Sequence, residues 1–116
     1  MGQLLSSLSS ADEATRLRVC QRCGQIVSAH RVCVLANGEE AARYCGRLRE
    51  QAEECAAAAV PACAKSAGMF NACIQKAMTK DPTRTTQIVE CSQYLRNVRA
   101  CLKRNGLQVE ALHKVC

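Results

Sequence analysis

Ten cysteines constrain this chain more than any other feature of its 116 residues. They make up about 9% of the residues, a density at which a short chain forms a disulfide scaffold. Four cysteine pairs share one interval, with nine residues between the two members. Random placement of ten cysteines would give about one such pair or fewer. The repeated interval is therefore a structural signal, and it occurs at Cys23/Cys33, Cys45/Cys55, Cys63/Cys73 and Cys91/Cys101.

The interval has a simple meaning on an α-helix. Ten residues rise about 15 Å and leave the two side chains about 80° apart, so both lie on one broad face. A second helix with the same interval, running antiparallel, presents two matching sulfurs. Two disulfides can then close as rungs about 15 Å apart, each with Cα atoms about 5.5 Å apart. The spacing predicts an all-α fold of two disulfide-stapled antiparallel hairpins, with four main helices and a short C-terminal tail.

This pattern resembles the twin C-x9-C, or CHCH-domain, family of the mitochondrial intermembrane space. Its two copies between residues 20 and 101 are similar to the quadruple C-x9-C type, above all to the PGIV-type accessory subunits of respiratory complex I. The chain is shorter than those subunits and lacks their long proline-rich C-terminal extension. Only seven residues separate Cys55 from Cys63. The resemblance implies oxidation by a Mia-type import oxidoreductase and no cleaved presequence, which suits an N-terminus without an export or matrix-targeting pattern.

Local signals mark where the helices begin and end. Ser10 and Glu13 have the spacing of a capping box at the start of the first helix. The Asn37-Gly38 dipeptide predicts the end of that helix and a tight turn. Pro61 suits the first turn of the third helix. We therefore expect a flexible N-terminus, a first hairpin, a second hairpin and a C-terminal tail, over residues 1–10, 11–59, 60–105 and 106–116.

Two disulfide pairings are compatible with these helices. The preferred one closes each hairpin on itself, through Cys23–Cys55, Cys33–Cys45, Cys63–Cys101 and Cys73–Cys91. The alternative forms a hairpin from the second and third helices, through Cys55–Cys63 and Cys45–Cys73. The tight turn at Asn37-Gly38 favours the first pairing, and the alternative stays open.

Two cysteines fall outside the repeated interval. Cys20 and Cys116 can form a fifth bridge that ties the two ends of the chain. Alternatively, Cys20 and Cys23 form a redox couple on one helix face, or Cys20 and Cys116 are free thiols. A zinc site of Cys20, Cys23, His30 and Cys33 has suitable ligand types but leaves the four equal intervals unexplained. We expect no metal and no cofactor.

The first residues match the M-G-x-x-x-[ST] pattern of N-myristoylation at Gly2. One acyl chain binds a membrane marginally and needs a second contact. The formal net charge of +6 can supply that contact to anionic lipid of the inner membrane. No nucleic-acid partner is expected, because base stacking needs aromatic side chains and the chain has three.

No arrangement of residues points to catalysis, and we expect a protein that is not an enzyme. The acidic residues Glu50, Glu53 and Glu54 lie at helical spacing with Arg47 and Arg49. This pattern is typical of a solvated, salt-bridged helix face rather than an acid/base pair.

From the resemblance we expect a structural accessory subunit of a mitochondrial inner-membrane respiratory complex, with complex I first. It would pack against other subunits on the intermembrane-space side, peripheral to the inner membrane. The alternative is a soluble assembly factor or a redox or metal carrier in the same space. An accessory subunit of cytochrome c oxidase, ATP synthase or the cristae-organising MICOS complex is a further alternative.

Overall fold

The computed structural model describes residues 12–80 and 84–116, and every regular element in these ranges is helical. This confirms the predicted all-α, disulfide-stapled fold. The C-terminal tail adds a further short helix to the main ones. In chain order the elements are α1 (Glu13–Asn37), a 3-10 turn (Gly38–Glu40), α2 (Ala41–Tyr44), α3 (Gly46–Ala59), α4 (Ala64–Lys80), α5 (Arg84–Arg104) and α6 (Val109–Val115).

Helix α1 begins at a different cap from the predicted one. Asp12 is extended (φ −68°, ψ 165°), and its carboxylate accepts a hydrogen bond from the Thr15 backbone N–H at 2.7 Å. This bond also lowers the pKa of Asp12. Glu13 is thus the first helical residue and cannot close a capping box, so that prediction was wrong. Ser10 itself lies outside the described residues.

The predicted turn at Asn37-Gly38 is present, but the helix after it is interrupted. Gly38 has a positive φ of 52°, which glycine adopts without steric cost, and its N–H donates to the Val34 carbonyl. The chain then forms the 3-10 turn and α2 before α3 starts at Gly46. Cys45 lies at the break (φ −107°, ψ 7°), so the expected single helix is divided there.

The break between the hairpins is longer than predicted. Val60 is extended (φ −110°, ψ 119°), as expected for a residue that precedes proline. Residues 61–63 form a turn, and α4 begins at Ala64 instead of Pro61.

The end of α5 redirects the chain across the first hairpin. Gly106 has a φ of 68°. Its N–H donates to the Lys103 carbonyl at 3.2 Å, and the Leu107 N–H donates to the Leu102 carbonyl at 2.9 Å. These two bonds form a Schellman motif. Leu102 and Leu107 are both buried beside it, and the turn leads into α6, which packs on α1 and α3.

The hairpins share one hydrophobic core. Helix α1 packs against α3, α4 packs against α5, and α3 also contacts both helices of the second hairpin. Small side chains on α3 allow this close approach, because Ala52, Ala56 and Ala57 are fully buried. The largest fully buried side chains come from the other elements and include Leu102, Leu107, Leu112, Val19, Val27 and Val98. Across the described ranges, no helix has the length and hydrophobicity to cross a membrane.

Candidate functional site

Four disulfides brace the two hairpins as pairs of rungs. Their Cα–Cα distances are nearly equal: 5.8 Å for Cys23–Cys55, 5.9 Å for Cys33–Cys45, 5.8 Å for Cys63–Cys101 and 5.8 Å for Cys73–Cys91. These bonds join the cysteines of the preferred pairing. The alternative bonds Cys55–Cys63 and Cys45–Cys73 are not formed, since each of these cysteines has a different partner.

A fifth disulfide joins Cys20 on α1 to Cys116, with a Cα–Cα distance of 5.2 Å across 96 residues of sequence. All ten cysteines are described and none is free. The structure therefore contains neither a Cys20–Cys23 couple nor free thiols at Cys20 and Cys116. The suggested zinc ligands Cys20, Cys23 and Cys33 belong to three different disulfides, and no metal-binding cluster occurs within residues 12–80 and 84–116.

Two asparagines lie against disulfides in the same way. The Asn37 side-chain amide donates to the Cys33 carbonyl at 2.8 Å and contacts Cys33 Sγ and Cys45 Sγ at 3.5 and 3.8 Å. Asn105 repeats this arrangement, with 2.8 Å to the Cys101 carbonyl and contacts to the sulfurs of the Cys63–Cys101 bridge. Both asparagines belong to a C-x3-N-G motif, and the occurrence of this motif in each hairpin was the sequence signal for the contacts.

Helix α6 is also held by a pair of imidazoles. His30 Nδ1 on α1 lies 2.8 Å from His113 Nε2 on α6. Arg31 Nη1 donates to the His113 backbone carbonyl at 2.8 Å. His30 is 3% exposed. Its buried Nδ1 atom has a hydrogen-bond partner in His113 Nε2. Helical spacing gave no signal that these two histidines meet, because they are 83 residues apart in sequence.

A second polar cluster, centred on the buried carboxylate of Glu53, connects α3, α5 and α6. Glu53 on α3 is 2% exposed, and its Oε2 accepts from Arg99 Nε of α5 at 2.8 Å and lies 3.5 Å from Arg49 Nε. Arg49 Nη2 also pairs with Glu110 Oε1 of α6 at 2.6 Å. The predicted solvated face was therefore wrong for Glu53. The i,i+4 spacing of Glu53 and Arg49 predicts an ion pair within α3. Arg99 belongs to the second hairpin, so helical spacing could not predict its contact with Glu53.

These groups line a cleft of about 560 Å³ that includes His30, Arg49, Arg99, Glu110 and His113. Burial lowers the pKa of His30, and the neighbouring His113 and Arg49 lower it further while Glu110 opposes them. Burial also lowers the pKa of His113, assisted by Arg31. Burial alone would raise the pKa of Glu110, but the hydrogen bond from Arg49, a backbone hydrogen bond and the charges of Arg49 and His113 together outweigh it, so the pKa is lowered. The cleft thus combines two imidazoles whose charged forms are disfavoured with the Arg49–Glu110 ion pair.

Comparison of the chain with family models, curated proteins and solved structures gives no match. The geometry fits a CHCH-like disulfide-stapled fold, since ten cysteines form five disulfides in a small all-helical chain. Gly2, the predicted lipidation site, lies outside the described residues.

We predict that Arg99→Met lowers the free energy of unfolding by about 1–3 kcal/mol, because it removes the shortest hydrogen bond to a buried carboxylate. Arg96→Met on the same helix is the matched control, since Arg96 is exposed. That control should change stability by less than about 0.5 kcal/mol. Denaturant unfolding of the oxidised proteins measures both values. Equal effects of the two variants would contradict the role given to Arg99.

We predict that stability falls as the pH drops below about 6.5. Burial in the folded protein holds the pKa of His30 and His113 below the ordinary histidine value of 6.5, so the unfolded chain takes up protons first. Their contribution is intact above that pH and is lost progressively in acid. Denaturant unfolding from about pH 7.5 to about pH 5.5 measures the decrease.

The double variant His30→Gln/His113→Gln is the control for this decrease. It retains every other titrating group, including Glu54, whose pKa burial raises and whose effect on stability has the opposite sign. The double variant should lose less stability than the wild type over the same range. Identical pH profiles for the two proteins would remove the histidine pair as the cause.

Proposed function

We propose that this protein is a structural accessory subunit of a mitochondrial inner-membrane respiratory complex, with complex I as the first candidate. The observation that carries the proposal is the arrangement of the four equal cysteine intervals. They lie on two antiparallel hairpins, and each hairpin is closed by two rungs. This matches the quadruple C-x9-C pattern, whose known members resemble the chain in spacing and helicity.

The cysteines also support the proposed compartment. All ten are paired, and disulfides at this density persist where thiols are oxidised. We infer that the protein acts in the intermembrane space, where a Mia-type oxidoreductase would be its partner during import. Because the five bonds connect elements throughout the chain, the product of oxidation would be a rigid unit.

The exposed surface supports a packing role against other subunits. Large apolar side chains are exposed near the end of the first helix, α1, and at the end of α2, with Val32 at 61%, Leu35 at 79% and Tyr44 at 60% exposure. Arg18 and Arg22 are exposed on the same first helix. Arginine side chains suit bidentate contacts with carboxylates or lipid phosphates. We propose that these residues contact neighbouring subunits and the membrane surface.

The test is the migration of the native protein. Mitochondria that contain a C-terminally tagged chain would be solubilised gently and resolved on a native gel, with mass spectrometry of the co-migrating proteins. We expect the chain to run stoichiometrically with a megadalton respiratory complex and to become protease-accessible when the outer membrane is ruptured. A chain that runs free would support an assembly factor or carrier instead. A chain located outside mitochondria would overturn the proposal.

A further inference from the structure

The Cys20–Cys116 disulfide differs from the other four in its exposure. Each hairpin rung contains at least one cysteine that is 2% exposed or less: Cys23, Cys45, Cys63, Cys91 or Cys101. Neither Cys20 nor Cys116 is buried to that extent, and both are of intermediate exposure. Thiol–disulfide exchange requires access of a thiolate to one sulfur along the bond axis. Three rungs also contain one cysteine of intermediate exposure, Cys33, Cys55 or Cys73, but each is bonded to a buried cysteine whose thiolate would be a poorly solvated leaving group. The Cys20–Cys116 bridge has no buried cysteine, so we expect a reductant to open it before the rungs.

This bridge holds one small element. Helix α6 has seven residues and follows directly after the Schellman turn at the end of α5. Its remaining attachments are non-covalent: the buried side chains of Val109 and Leu112, the His30–His113 hydrogen bond, the hydrogen bond from Arg31 to the His113 carbonyl and the Glu110 ion pair. The rungs of the two hairpins lie entirely outside α6. Loss of the Cys20–Cys116 bond would leave both hairpins closed.

We propose that α6 is a redox-released strap, fastened to α1 by the Cys20–Cys116 disulfide and opened by a dithiol. One thiolate of the dithiol attacks a sulfur of the bridge, which breaks the S–S bond and forms a mixed disulfide. The second thiol of the reagent then displaces the other protein sulfur. Two electrons and two protons pass from the dithiol to Cys20 and Cys116, and the reagent becomes a cyclic disulfide.

Release of α6 would uncover the parts of α1 and α3 against which it packs. Leu112 of α6 is fully buried, and α6 covers parts of α1 and α3. An isolated seven-residue helix is not stable in water, so α6 depends on its attachments. With both hairpins folded, the segment that opening frees is residues 107–116, which follow the Schellman turn. A disulfide that closes a loop of about 10–15 residues disfavours its opening by about a hundredfold. Reduction should therefore increase the opening of α6 by about that factor and expose the apolar surface beneath it.

The experiment combines limited reduction with hydrogen exchange on the full chain. The oxidised protein would be treated with increasing dithiothreitol, quenched with an alkylating reagent and mapped by mass spectrometry. We expect Cys20 and Cys116 to be alkylated first, while the eight rung cysteines remain bonded. Amides of residues 109–115 should then exchange about a hundredfold faster, and the interiors of α1, α3, α4 and α5 should keep their protection. First reduction at any rung would overturn the proposal.

Two double variants separate release of the strap from general destabilisation. Cys20→Ser/Cys116→Ser should reproduce the fast exchange of α6 without any reductant. Cys33→Ser/Cys45→Ser, which removes a rung, should leave the exchange of α6 within about threefold of the wild type. Unchanged protection of α6 in the first variant would contradict the proposal. Loss of protection throughout the hairpins in that variant would contradict it too, since the four rungs are proposed to hold them.

Discussion

The equal spacing of cysteines on paired helices is the constraint on which the fold depends. A disulfide requires its two Cα atoms to lie close together, so two rungs close on one antiparallel pair only if both helices carry the same interval. The four rungs meet this requirement, with Cα–Cα distances of 5.8–5.9 Å. They fix the register of each hairpin covalently. Bridges of this kind typically add about 2–4 kcal/mol each, with nested bridges adding less.

This covalent register suits a core that is poor in aromatic residues. Phe70 is the single phenylalanine, and α3, which packs against α1, α4, α5 and α6, contributes buried alanines. Alanine buries little apolar area but allows close helix approach and favours the helical state. Polar contacts also hold the helices together. The Glu53–Arg99 ion pair connects α3 to α5, and the His30–His113 hydrogen bond connects α1 to α6.

Cysteine spacing and turn residues were sufficient to predict the helical hairpins and the turn at Asn37-Gly38. They could not predict contacts between helices that are distant in sequence. The pairing of His30 with His113 depends on the Schellman turn that directs α6 back across α1. The burial of Glu53 likewise depends on Arg99 from the second hairpin. The i,i+4 spacing of Glu53 and Arg49 is that of an ion pair on an exposed helix face. Helical periodicity alone does not distinguish an exposed pair from one that another helix covers.

The most direct test of the disulfide register is to identify the partner of Cys45. Tryptic digestion of the alkylated, non-reduced protein places Cys45 in the peptide 44–47, Cys33 in 32–43 and Cys73 in 66–76. We expect mass spectrometry to recover peptide 44–47 in a disulfide with peptide 32–43. Recovery of peptide 44–47 linked to peptide 66–76 would contradict the assigned register, because α3 and α4 would then form the hairpin.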